Sequence, residues 1–156
     1  MNSKMRSINP PIESNEVAAF ERHVGISFPA SYKEFLLATN GGRPLKSDFP
    51  IMDGSTSNIH VFLGIGVSTP TSELDYAYEQ YGGALPQGVV PIANDDCGNY
   101  VCLDVRSGHD RIFFWDKSHF WSTGEWREKD LHEVADSFEQ FLDLLERYQP
   151  DTSPSR

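Results

Sequence analysis

Asp95-Asp96-Cys97-Gly98-Asn99, followed by Asp104, gathers the oxygen donors that hard cations prefer. The spacing departs from an EF-hand loop, which places ligands at alternate positions and ends on a glutamate. The same residue types build tight turns, because Asp, Asn and Gly tolerate turn backbone. A turn is therefore expected here and no metal ligand is assigned, with an acidic contact role for Asp95 and Asp96 kept beside it. His109-Asp110 and Asp116-Lys117-Ser118-His119 supply residue types used in acid–base and nucleophilic catalysis. Neighbours on a strand point to opposite faces, so Asp116, Ser118 and His119 do not compose a triad by their order. Gly64-Ile65-Gly66 lacks the third glycine of a dinucleotide loop, and no Walker or Gly-x-Ser-x-Gly element occurs. No catalytic residue and no cofactor are expected. Cys97 and Cys102, five positions apart, would face opposite sides of a strand and are read as free thiols.

What remains is chemistry of contact. The chain carries a formal net charge of −10, and between Ser47 and Val105 it has neither lysine nor arginine. That stretch holds Asp48, Asp53, Glu73, Asp75, Glu79, Asp95, Asp96 and Asp104. Such a surface repels nucleic acid and acidic membranes and steers basic partners toward itself, although acidity also serves solubility. Phe113, Phe114, Trp115, Phe120, Trp121 and Trp126 form an aromatic stretch that is either sheet core or, at Trp121 and Trp126, an interface anchor. A second acidic run from Glu125 to Glu146 reads as a solvated helix face or as an extension of the first.

The elements that must position these residues are marked along the chain. Ser14 is placed to cap a first helix with Val17, Phe20 and Val24 on its apolar stripe, and Gly25 ends it. Pro29 opens a second helix carrying Tyr32, Phe35 and Leu36, closed by Asn40-Gly41-Gly42. A strand is expected from Ile59 to Leu63 and a helix from Ser72 to Tyr81. Val89 to Ala93, Tyr100 to Asp104 and Arg111 to Trp115 are strands joined by turn formers, which predicts an antiparallel meander. Trp121 to Trp126 is a further strand candidate. A last helix, capped by Asp136 or Ser137, is expected from about Ser137 to Tyr148, and 151–156 reads as a frayed tail. The class is α+β: a twisted antiparallel sheet packed against an N-terminal helical hairpin and a C-terminal helix, with 1–150 as one domain. No apolar run is long enough to span a bilayer and no signal peptide opens the chain, so a cytoplasmic address is expected.

Three blocks carry a resemblance. They are Phe20-Glu21, Gly25-Ile26, Phe28-Pro29-Ala30-Ser31-Tyr32-Lys33-Glu34-Phe35-Leu36 and Asn40-Gly41-Gly42; Leu85-Pro86-Gln87-Gly88-Val89-Val90-Pro91-Ile92-Ala93 with Asp95-Asp96, Gly98-Asn99 and Leu103-Asp104; and Val134-Ala135-Asp136-Ser137-Phe138-Glu139-Gln140-Phe141-Leu142. In this order and spacing they resemble the SMI1/KNR4 family of the SUKH superfamily, from about Val17 to Leu145. Arg43 to Asp75 matches no pattern of it. The resemblance implies an α+β fold and a binding role. Bacterial members look like immunity proteins that neutralise a cognate polymorphic or contact-dependent toxin, often a nuclease, and fungal members look like regulators acting through protein contacts.

The expectation is thus a toxin-binding immunity protein whose partner-contacting residues come from Asp48, Asp53, Glu73, Asp75, Glu79, Asp95, Asp96, Trp121 and Trp126. No direct nucleic-acid or membrane contact is expected. The alternatives are a regulatory interaction module of the same fold and, third, an enzyme, which would need a pocket gathering His60, His109 or His119 with carboxylates.

Overall fold

Apolar spacing and caps place the first elements where the sequence puts them. The computed structural model describes residues 4–108 and 110–150; His109 and the tail expected at 151–156 lie outside the described residues. In chain order the elements are β1 (Met5–Ser7), α1 (Ser14–Val24), α2 (Ala30–Thr39), β2 (Arg43–Pro44), β3 (Asp48–Pro50), β4 (Thr56–Asn58), β5 (Val61–Phe62), α3 (Leu74–Tyr81), β6 (Val89–Asn94), β7 (Tyr100–Asp104), β8 (Arg111–Trp115), α4 (Ser118–Thr123), β9 (Leu131–Ala135) and α5 (Phe138–Arg147). The predicted meander is the centre of a five-stranded antiparallel sheet ordered β5-β6-β7-β8-β9. Two small antiparallel pairs, β1 with β2 and β3 with β4, flank it. Helices and antiparallel strands around this sheet make the fold α+β. Among the described residues no helix is long and apolar enough to cross a membrane.

The sheet is buried on both faces, which explains why β6, β7 and β8 read as apolar runs rather than alternations. On one face Phe114 meets Phe49, and Phe49 meets Phe141 of α5 at 5.3 Å between ring centres. Phe141 lies 6.2 Å from Phe62, and Phe35 joins Phe62 and Phe138 at 4.8 and 5.2 Å. On the other face Trp115 packs against Tyr81, Phe120 and Trp126 at 5.5, 5.5 and 5.6 Å. Phe113 and Phe114 are therefore core, and Trp126 is half-buried against it. Cys97 is exposed, Cys102 is buried, and both are free thiols. Burial pushes the Cys102 thiol and the Tyr32 phenol well above their ordinary pKa values.

Four expectations are corrected. The Trp121–Trp126 strand is absent: Asp116 Oδ1 accepts from the Ser118 N–H and hydroxyl, nucleating α4, and left-handed Gly124 ends it. These local bonds override the strand preference of the aromatic side chains. The run from Glu125 to Glu146 is not one helix face, because Leu131–Ala135 forms the fifth strand, with Leu131, Val134 and Ala135 buried. Glu13 rather than Ser14 is the first cap, its N–H donating to Glu16 Oε1 at 3.0 Å. At the last helix Ser137 caps, accepting from the Gln140 N–H. The Ile59–Leu63 strand shortens to Val61–Phe62, although His60 and Leu63 still donate backbone bonds to β6 at Asn94 and Ile92.

Asn40 ties these layers together. It ends α2 at φ 50°, the one non-glycine residue with positive φ among the described residues, and is 1% exposed. Its Nδ2 donates to the carbonyls of Pro10 and Ile65 at 3.0 and 2.8 Å, and its Oδ1 accepts from the Ile65 N–H at 2.8 Å. Asn9 Nδ2 donates to the Asn40 carbonyl at 2.8 Å. A Cβ on Gly64 would overlap that same carbonyl, and one on Gly42 would overlap the Ser7 carbonyl, so both positions require glycine. Asn40→Ala is expected to lower the unfolding free energy by about 3–4 kcal/mol, through three buried hydrogen bonds and left-handed strain. Asn40→Gly, which keeps the backbone conformation, recovers only about 1 kcal/mol of this in urea titrations. A near-neutral Asn40→Gly would mean that the side-chain bonds do not hold the junction.

Candidate docking groove

Helical spacing places Glu16, Ala19, Phe20 and His23 along one face of α1. Opposite them stand Ile65 and Gly66, held by Asn40, and the start of α3. The Gly64 N–H donates to the Ser72 carbonyl and the Leu74 N–H to the Gly64 carbonyl, fixing the entry to α3 against the segment after β5. Glu73 caps α3 by accepting from the Tyr76 N–H at 3.2 Å, and its other oxygen accepts from the Gly66 N–H at 3.3 Å. The two walls enclose an open groove of about 390 Å³ lined by Glu16, Ala19, Phe20, His23, Ile65, Gly66, Glu73 and Asp75. Its floor is apolar and its rim carries three carboxylates.

Asp75 and Glu79, one turn apart on α3, converge on the end of α1. His23 Nε2 lies 2.7 Å from Glu79 Oε1 and 3.2 Å from Asp75 Oδ1, and the imidazole packs edge-on to Tyr78 at 5.4 Å. Two like charges at this spacing repel, and a single imidazole cannot balance both, so the cluster keeps net negative charge. All three groups are about half exposed, so the pairing adds little stability. The arrangement can accept a guanidinium or ammonium from outside. Its three donor atoms lie within 4.8 Å of one another, a set that could also hold a divalent cation.

The predicted contact residues do not form one patch. Glu73, Asp75 and Glu79 belong to this groove. Asp96 is exposed at the β6–β7 turn, accepting from Asn58 Nδ2 at 2.7 Å, with His60 Nδ1 at 3.2 Å. Asp48 is exposed beside it, opposite Asn58 in the β3–β4 ladder. Asp53 sits at that hairpin's tip, where the Ser55 hydroxyl and N–H hold its carboxyl below the usual range, 3.7 Å from His132. Trp121 is 72% exposed on α4. Asp95 is 7% exposed, with one oxygen serving the β6–β7 turn and the other tied to β4. Oδ1 accepts from the N–H groups of Cys97 and Asn99, and Oδ2 from Ser57 Oγ. Asp104 is likewise occupied, bidentate to Arg106 at 3.0 and 2.9 Å.

The two acidic runs differ in their partners. In the second, Glu128 meets Arg106, Asp130 meets Arg127, Glu133 meets Arg111 and Asp143 meets Arg147. Across Ser47–Val105, the cationic side chains within 4 Å of exposed carboxylates are histidines, His23, His60 and His132, among the described residues. The unbalanced negative charge therefore lies on the first run. Asp116 and Ser118 bond each other while His119 turns to Glu125 at 2.9 Å, so these three do not form a relay. His23 and Glu16 were missed by sequence reasoning. The signal was present in their spacing on α1, but their meeting with α3 depends on contacts 56 residues apart.

The sequence matches the model of the SMI1 / KNR4 family (SUKH-1) over residues 11–144. It is 29% identical over 154 residues to the SPbeta prophage-derived uncharacterized protein YokK of Bacillus subtilis (strain 168), with 85% of this chain and 74% of that protein covered. The matched span runs from the approach to α1 through most of α5 and so takes in the Asn40 junction, the groove and the sheet. The chain belongs to the SMI1/KNR4 family (SUKH-1).

Proposed function

We propose that this protein is an immunity protein, acting in the cytoplasm as one domain over 1–150, that binds and neutralises a basic toxin domain of the nuclease kind. The observation that carries this is the groove between α1 and α3: an apolar floor of Phe20 and Ile65 under a rim of Glu16, Glu73 and Asp75, with Glu79 beside it. Such a site takes the stem of an arginine or lysine on its floor and the charged head on its rim. The prophage-derived relative is consistent with a gene carried on mobile DNA, where toxin and immunity functions travel together. Long-range attraction by the unbalanced acidic face speeds encounter, and a few anchors supply affinity.

The proposal expects a toxin gene with a variable C-terminal domain directly upstream of this gene, and the test is co-expression with that domain. That domain alone should stop growth, and this protein should restore it. Failure to restore growth and failure to bind the domain would together contradict the proposal. Asp75→Asn with Glu79→Gln should weaken binding at least tenfold in calorimetry while leaving the unfolding midpoint within the range of exposed substitutions.

The association rate should also depend on salt. Raising ionic strength from about 0.02 to 0.5 M should slow association at least tenfold, with a smaller change in dissociation. A rate that stays flat in stopped flow would remove electrostatic steering from the account.

A further inference from the structure

The segment between β8 and α4 buries a charge that the groove does not use. Lys117 is 3% exposed, and its Nζ donates to Tyr81 Oη at 2.7 Å. The ammonium lies 4.4 Å from the centre of the Tyr81 ring, 4.7 Å from Tyr100 and 5.2 Å from Trp121. Among the described residues no carboxylate lies within 4.0 Å of it. Three aromatic faces and one neutral phenol leave a buried ammonium incompletely compensated, since buried charges are ordinarily matched by an opposite charge. Several carboxylates elsewhere on the described surface meet arginine, lysine or histidine, whereas this cation has no carboxylate partner among the described residues.

Beside it opens a pocket of about 250 Å³ lined by Gln80, Tyr81, Lys117, Phe120 and Trp121. Its walls are aromatic, and its polar groups are an ammonium, a phenol and a primary amide. Trp121 stands at the pocket, more exposed than any other large apolar side chain among the described residues. Apolar walls with a few convergent polar groups are the build of a small-ligand site. Polarity here selects for an anion, and the flat walls select for an apolar or aromatic body behind it.

We propose that Lys117, Tyr81 and Trp121 form a binding pocket for a carboxylate carried on an apolar or aromatic group. The carboxylate pairs with the Lys117 ammonium and the Tyr81 hydroxyl while Trp121 covers the apolar body. Its source is either a free small acid or an acidic side chain next to an apolar one in a polypeptide. The site is separate from the docking groove and does not depend on the identity of a toxin.

The experiment follows the Trp121 indole N–H by two-dimensional NMR, assigned with Trp121→Phe, during titration with three probes. These are phenylacetate, its neutral isostere phenylacetamide, and the blocked dipeptide N-acetyl-glutamyl-phenylalanine amide. Saturable shifts should appear below about 10 mM for phenylacetate or the dipeptide, at least tenfold tighter than for phenylacetamide. Tighter binding of phenylacetate assigns a free acid, and tighter binding of the dipeptide assigns a polypeptide source. Lys117→Met should erase the preference for the acid. Because that change is buried, Trp121→Ala is the companion variant: Trp121 is exposed, so the variant should keep the circular dichroism spectrum, and, followed through the Gln80 side-chain amide resonances instead of the indole, should weaken phenylacetate at least fivefold. Equal affinity for acid and amide, or no saturable shift with either acid, overturns the proposal.

Discussion

The hydrogen bonds of the Asn40 side chain set the geometry on which the rest depends. One amide joins the chain ahead of α1, the end of α2 and the segment that leaves β5. The last of these is Ile65, which lines the groove, and its neighbour Gly64 carries the backbone bonds that fix the start of α3. The separation of α1 from α3, and hence the position of Glu73 and Asp75 relative to Glu16 and His23, follows from a junction that contains none of them. This accounts for Asn40-Gly41-Gly42 as a unit. Asparagine tolerates the left-handed turn while reaching three backbone groups, and a side chain at Gly42 would strike the N-terminal strand.

Charge is distributed by the same fold into two kinds of surface. Around α5 and β9 Glu128, Asp130, Glu133 and Asp143 are met by arginines and Glu146 by Lys46, so that face is closer to balance. Across Ser47–Val105 the near cations are imidazoles, apart from Arg106 beside Asp104. The absence of lysine and arginine in that stretch thus has a spatial consequence: folding brings histidines to it rather than permanent cations. A surface left unbalanced in this way offers steering and complementarity to a basic partner and adds little to stability.

Elements whose cause is local were legible in the sequence. The stripe Val17, Phe20 and Val24, the proline before α2, the serine before α5 and the turn formers between β6, β7 and β8 each act within a few residues. Leu131–Ala135 was not legible, because its strand form is imposed by pairing with β8 and its charged residues resemble a helix face. Ser118–Thr123 was obscured by aromatic side chains whose strand preference yields to the Asp116–Ser118 turn that opens the helix. For the site, the acidic half at Glu73, Asp75 and Glu79 was visible as composition. Its completion by His23 and Glu16 was not, since nothing in α1 announces which helix will lie against it. Asp95 shows the converse: an acidic loop residue that composition offers as a contact is consumed by the turn it builds.

Hydrogen–deuterium exchange of the protein alone and in complex with the proposed basic partner tests the central claim, that the α1–α3 groove is the docking face. Protection should rise in peptides covering Ser14–Val24 and Leu74–Tyr81 and remain unchanged over β9 and α5. Protection confined to β9 and α5, with the groove peptides exchanging as in the free protein, would contradict it.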